Sequence, residues 1–199
     1  GVILLAAGRS TRMGAQNKLL ATHQGKPLVR HAAEAALAAE IGPVTVVVGH
    51  MADKVRQALA GIDVTVVVNS DFADGLSTSV KAGVAALPDK IDATLVMLGD
   101  MPLVTPAVLR RLAAVFGENR DALAVVPTTL GERGNPVLIA RDLFPALAGL
   151  SGDAGARGII EAAGERVIEV PVDDPGIHRD IDTPDALATL RAQAGQKLI

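Results

Sequence analysis

The 199-residue chain has no cysteine, no tryptophan and no tyrosine, and only three phenylalanines. Without cysteine there are no disulfides, no thiolate zinc sites and no thiol nucleophile, which fits a cytoplasmic enzyme. With so few aromatics, a planar base would have to rest on aliphatic or arginine surfaces. Histidine is sparse as well. His23, His31, His50 and His178 stand singly, and no Ser-His-Asp arrangement or H-E-x-x-H is visible, so hydrolase chemistry has little support. No apolar run is long enough to cross a bilayer. A net charge of −3 argues against a nucleic-acid partner, which leaves a basic stripe on most chains that have one. The sequence opens on an apolar run with no Met and no signal-peptide pattern, as expected of a trimmed chain or one domain of a longer protein.

What is present is a globular composition, 49% hydrophobic and 21% charged. No repeat, low-complexity stretch or linker interrupts it, and the expectation is one domain over 1–199 with a sizeable core. Apolar β-branched runs alternate with alanine-rich stretches, the pattern of a doubly wound α/β fold. The expected strands are Val2–Ala7, Val44–Gly49, Val64–Val68, Ala93–Leu98 and Leu123–Pro127. The expected helices between them are Pro27–Ala39, Met51–Ala60, Leu76–Leu87 and Pro106–Phe116. After about residue 128 the rhythm loosens. Asn135–Ala140 and Arg166–Pro171 read as strands, and Asp142–Ala148, Asp153–Ala163 and Thr183–Ala192 as helices.

The most informative stretch is Leu5-Ala6-Ala7-Gly8-Arg9-Ser10-Thr11-Arg12-Met13-Gly14, followed by Lys18. A buried strand stops at a glycine, and open α/β sheets place ligands at that edge. Small residues let backbone N–H groups approach an anion, and Arg9, Arg12 and Lys18 add three cations, which suits a triphosphate. The spacing is neither a Walker A loop nor the Rossmann G-x-G-x-x-G.

Five further constellations accompany it. Leu98-Gly99-Asp100-Met101-Pro102 delivers Asp100 to the same sheet edge, as a Mg²⁺ ligand or as a turn residue. Thr105 before Pro106 is the better-placed helix cap. In Asp180-Ile181-Asp182-Thr183-Pro184 two carboxylates lie two residues apart, so in extended chain they share a face. In Asp74-Gly75-Leu76-Ser77-Thr78-Ser79 three hydroxyls fall on the first turn of a helix. They can cap it or meet a ribose or base, and the sequence does not separate them. Arg133-Gly134-Asn135-Pro136-Val137 and Gly152-Asp153-Ala154-Gly155-Ala156-Arg157 read as two surface loops, or as a second anion site.

The first stretch resembles the L-A-[AG]-G-x-S-x-R-M-G…K signature of nucleotidyltransferases related to the molybdenum cofactor cytidylyl- and guanylyltransferases. G-D-M-P, R-G-[NH]-P-V, G-D-x-G-A-R and D-[IV]-[DN]-T-P follow in the order found in that family, from Leu5 to Leu187. The resemblance implies a three-layer α/β/α Rossmann-like domain of glycosyltransferase-A type, its sheet mostly parallel with an antiparallel strand in the second half. It implies transfer of CMP from CTP to the molybdopterin cofactor with Mg²⁺, and a molybdoenzyme or cofactor-insertion protein as a further partner. By the same resemblance Asp100 and Asp182 hold the metal, with Asp180 outside them, and Arg12 and Lys18 act in catalysis. Leu5, Ala6, Ala7, Gly8, Arg9, Ser10, Ser77, Thr78 and Ser79 fall to the nucleotide, and Arg133, Asn135 and Arg157 to the acceptor. Ala7 matches cytidylyl-type members, where guanylyl-type members tend to glycine. Guanylyl transfer, sugar-1-phosphate nucleotidyl transfer and a non-catalytic nucleotide-binding domain are the alternatives.

Overall fold

The computed structural model describes residues 1–13 and 17–196. In chain order the strands are β1 Val2–Ala6, β2 Thr22–His23, β3 Lys26–Pro27, β4 Val44–Val48, β5 Thr65–Val68, β6 Ala93–Leu98, β7 Ala124–Thr129, β8 Glu132–Arg133, β9 Val137–Ala140 and β10 Val167–Pro171. The helices are α1 Leu28–Ala38, α2 Ala52–Ala58, α3 Leu76–Ala85, α4 Pro106–Glu118, α5 Phe144–Ala148, α6 Arg157–Ala162 and α7 Pro184–Gln196.

The main sheet runs β10-β7-β9-β6-β1-β4-β5, with β8 added to β7, and β2 and β3 form a separate hairpin. β1 lies between β4 and β6 and is parallel to both. All five of its residues are buried, which explains a continuous apolar run rather than an alternating one. Period-2 geometry sends Val2, Leu4 and Ala6 to one layer, with α1, α2 and α4. Ile3 and Leu5 go to the other, with α3, α5 and α6. The second half departs from the parallel order as expected, since β9 pairs antiparallel with both β6 and β7. Pro127 sits in β7 just past its last partner in β9, where a missing N–H leaves no gap in that ladder.

From β1 the chain winds outward through β4 to β5, then returns to place β6 on the other side of β1. That reversal opens a crevice at the carboxyl ends of β1 and β6. Two expected boundaries shift. Pro27 pairs with Thr22 in the small hairpin and only then gives way to α1. The expected helix over 153–163 begins at Arg157, leaving Asp153–Ala156 as a turn. Among the described residues no helix is long and apolar enough to cross a membrane.

Candidate active site

The loop after β1 is closed by side chains from within it. Ser10 takes a left-handed backbone (φ 55°), and the Met13 N–H donates to the Ser10 carbonyl at 2.9 Å. The Ser10 hydroxyl donates to Asn17 Oδ1 (3.3 Å) and accepts from the Lys18 N–H (3.1 Å). Asn17 Oδ1 also caps the short turn Lys18–Leu20 through the Leu19 N–H at 3.0 Å. The backbone of Lys18 is thereby fixed while its side chain stays free to reach across the crevice. Gly14 of the motif lies outside the described residues.

Opposite this loop, the Gly99 N–H donates to the Leu5 carbonyl (2.9 Å), and Asp100 follows at once, 7% exposed. The Asp180–Asp182 segment is tied to it directly, because the Ile181 N–H donates to the Asp100 carbonyl at 2.9 Å. Ile181 is buried with Met13, Leu28, Leu187 and Leu190, so Asp180 and Asp182 turn the other way into the crevice. Sequence reasoning placed Asp180 outside the pair. The structure instead brings one carboxylate oxygen from each of Asp100, Asp180 and Asp182 within 4.8 Å of the others.

Cations answer this charge. The Lys18 ammonium donates to both Asp100 Oδ2 and Asp182 Oδ1. Arg12 pairs with Asp182 Oδ2 at 2.5 Å. Burial opposes the charge on Lys18, but the Asp100 and Asp182 carboxylates outweigh it and hold the ammonium above its ordinary range. Burial also opposes ionisation of Asp182, yet Lys18, Asp180 and Arg12 together keep it below the usual carboxylate range. At Asp180 burial and the neighbouring Asp182 act in the same direction, and its carboxyl is pushed up. The remaining oxygen of Asp100, Oδ1, is buried without a partner among the described residues. An orphaned anionic oxygen among converging carboxylates fits a hard divalent cation, which takes oxygen ligands.

The crevice has a volume of about 580 Å³. Leu5, Ala7, Gly8, Arg9, Arg12 and Lys18 line one side, and Asp100, Asp180 and Asp182 the other. Ala6 is buried in the sheet, and Ser10 lies in the loop rather than in the lining. Of the three hydroxyls on α3, Ser79 lines the crevice, whereas Ser77 is 1% exposed and Thr78 bonds the carbonyls of Asp71 and Gly75. Asn69, just past β5, holds this turn by donating to Thr78 Oγ1 (2.9 Å) and Ser79 Oγ (3.0 Å). Thr105 occupies the cap position of α4, but its hydroxyl donates to Asp174 (2.8 Å) and makes no cap bond.

The residues expected to meet an acceptor are not brought to the crevice. Arg133 pairs with Glu169 at 2.8 Å and Arg157 with Glu161 at 2.9 Å, each an exposed ion pair. Asn135 uses its backbone N–H to hold the Ile177 carbonyl at 2.9 Å. Gly134 lies so close that a Cβ there would stand 2.7 Å from the Ile177 carbonyl oxygen. The R-G-N-P-V stretch therefore braces the chain leading to Asp180 and Asp182. From the Gly152–Arg157 stretch, Asp153 lines the crevice in place of Arg157. Asn17 and Asn69 carry no expectation from the sequence, and Asp153 only as part of the Gly152–Arg157 stretch. The first two stand where a sheet-edge rule would look, next to Lys18 and directly after a strand.

The MobA-like NTP transferase domain matches residues 2–168. The bifunctional protein GlmU of Kineococcus radiotolerans is 37% identical over 163 residues, 80% of this chain and 31% of that protein, so the chain spans about a third of that relative's length. The nicotine blue oxidoreductase of Paenarthrobacter nicotinovorans is 33% identical over 194 residues, 94% of each chain. Rv0371c of Mycobacterium tuberculosis superposes with a TM-score of 0.85 at 29% identity, covering 96% of both chains, and has also been solved in complex with manganese. With this match over most of its length, the chain belongs to the MobA-like NTP transferase domain family.

Proposed function

We propose that this protein transfers CMP from CTP to the terminal phosphate of the molybdopterin cofactor, releasing pyrophosphate, with Mg²⁺ as cofactor. The observation that carries the proposal is the carboxylate cluster of Asp100, Asp180 and Asp182 facing Lys18 and Arg12 across one crevice. Simple nucleotide binding does not require such a cluster, whereas metal-assisted displacement at phosphorus makes use of one. The manganese complex of Rv0371c supports a divalent cation in the same fold at 29% identity.

The reaction needs no protein nucleophile. An acceptor phosphate oxygen attacks the α-phosphorus in line, the bond to the β-phosphate bridging oxygen breaks, and pyrophosphate carries the electron pair away. Asp100 and Asp182 would hold the metal, which when bound neutralises phosphate charge. Lys18 and Arg12 stabilise the charge that builds on the α- and β-phosphates, and the backbone from Ala7 to Ser10 positions the nucleotide. The methyl of Ala7 beside the base favours a pyrimidine over a purine. Within a single domain, the N-terminal half holds the nucleotide and the second half the acceptor.

A second reading has its own observation, the near full-length likeness to a nicotine blue oxidoreductase. Reduction of a dye does not call for three converging carboxylates, so nucleotidyl transfer is preferred. Pyrophosphate release, measured with Mg²⁺, molybdopterin cofactor and each of CTP, GTP, ATP and UTP, separates the readings. Release with CTP alone is expected. Release with GTP overturns the base assignment. Silence with all four, together with oxidoreductase turnover of nicotine blue, overturns the transferase reading.

A further inference from the structure

Lys18 does two things that cannot be done at once. In the structure its ammonium bonds Asp100 Oδ2 and Asp182 Oδ1 together. Those two carboxylates are also the ones a divalent cation would use. Yet the proposed reaction asks Lys18 to stabilise phosphate charge in the same crevice. The local geometry allows a change of partner. The Lys18 backbone is held by Ser10 and by the Asn17-capped turn, while the flexible four-carbon side chain ends in the crevice lining. Asp100 Oδ1, buried and without a partner among the described residues, shows that the ammonium does not satisfy the cluster.

We propose that Lys18 is an internal stand-in for the divalent cation, pairing Asp100 and Asp182 in the free protein and leaving them for the triphosphate when metal and nucleotide arrive. The inference rests on the metal reading above and adds a coupling to it. Without nucleotide, a divalent cation must displace an ammonium that has no new anionic partner. With the triphosphate present, the displaced ammonium gains one. Metal and nucleotide therefore strengthen each other's binding, and the coupling is reciprocal. Arg12 serves as the internal comparison, because it touches Asp182 from an exposed position and does not bridge the two carboxylates.

The test is the binding of Mn²⁺ alone to nucleotide-free protein, followed by the spin-resonance signal of the free ion, which requires no turnover and no acceptor. Lys18→Met is expected to bind Mn²⁺ more tightly than wild type by about tenfold or more. Arg12→Gln, which also removes one positive charge, is expected to stay within about threefold. Lys18→Gln provides a second variant with a polar, uncharged end, should the methionine disturb folding. Unchanged or weaker Mn²⁺ binding in the folded Lys18 variants overturns the exchange, as does equal tightening in Arg12→Gln, since general charge then explains the effect. If neither wild type nor variants bind Mn²⁺, the metal reading falls and the exchange falls with it. Failure of cytidylyl transfer would leave the Mn²⁺ result untouched.

Discussion

At the scale of single residues, Lys18 carries the heaviest expectation. Its side chain is bonded to two carboxylates in the crevice, and the proposed chemistry loads charge onto phosphates beside it. Lys18→Ala should lower kcat about a hundredfold or more while changing the KM for CTP only a few-fold, because the interaction strengthens as charge develops. Steady-state kinetics at saturating acceptor would check this, and unchanged turnover would remove Lys18 from the chemistry. Arg12, Lys18 and Asp100 could be singled out in the sequence, because charged residues closely following small ones after a strand have few structural uses, whereas Asp182 was singled out only through the resemblance. Arg133 and Arg157, expected at the acceptor, stand outside the crevice lining for a reason the sequence does not show. An arginine next to glycine reads as an anion site, but Glu169 and Glu161, far or near in sequence, satisfy each of them. Ser77, Thr78 and Ser79 could not be told apart, since the separation depends on Asn69, which reaches in from the end of another strand.

At the scale of elements, the segment from Asp174 to Asp182 decides whether the carboxylates converge. It is packed against Gly134, against the Leu103 carbonyl at Gly176, and against the Asp100 carbonyl at Ile181. Gly134→Ala would drive a Cβ into the Ile177 backbone and side chain, both within 2.8 Å. The expected result is a stability loss of about 1–3 kcal/mol by chemical denaturation, with weaker Mn²⁺ binding in the fraction that folds. Retained stability and metal affinity would refute the bracing role. The β2–β3 hairpin makes a different prediction. His23 is 6% exposed, with Nδ1 unpartnered among the described residues, and its ring lies 5.4 Å from that of His31. Burial, then His31, then Arg191 hold its pKa below the ordinary 6.5. The unfolded chain therefore takes up the proton more readily than the folded one. The protein should lose stability as pH falls below 6.5. Thermal melts from about pH 7.5 to about pH 5 would show the slope, and His23→Gln should flatten it. The main strands and helices were readable from apolar runs and alanine-rich faces. The hairpin was not, because two-residue strands have no periodicity to read.

At the scale of the whole molecule, alternation of strands and helices was enough to indicate a doubly wound sheet, and the resemblance anticipated the antiparallel strand in the second half. What composition could not give was the order β10-β7-β9-β6-β1-β4-β5, which depends on pairings between distant strands. That order creates the reversal beside β1, and the reversal places the loop after β1, the turn after β6 and the Asp180–Asp182 segment around one crevice. Three stretches separated by as many as 164 residues thus meet at one lysine. The most direct test of this account is a crystal structure with Mn²⁺ and a non-hydrolysable CTP analogue, read by anomalous scattering. The account predicts a manganese peak between Asp100 and Asp182, with the Lys18 ammonium moved onto the triphosphate and the cytosine beside Ala7. A manganese peak away from these carboxylates, or a nucleotide bound outside the crevice, would contradict it.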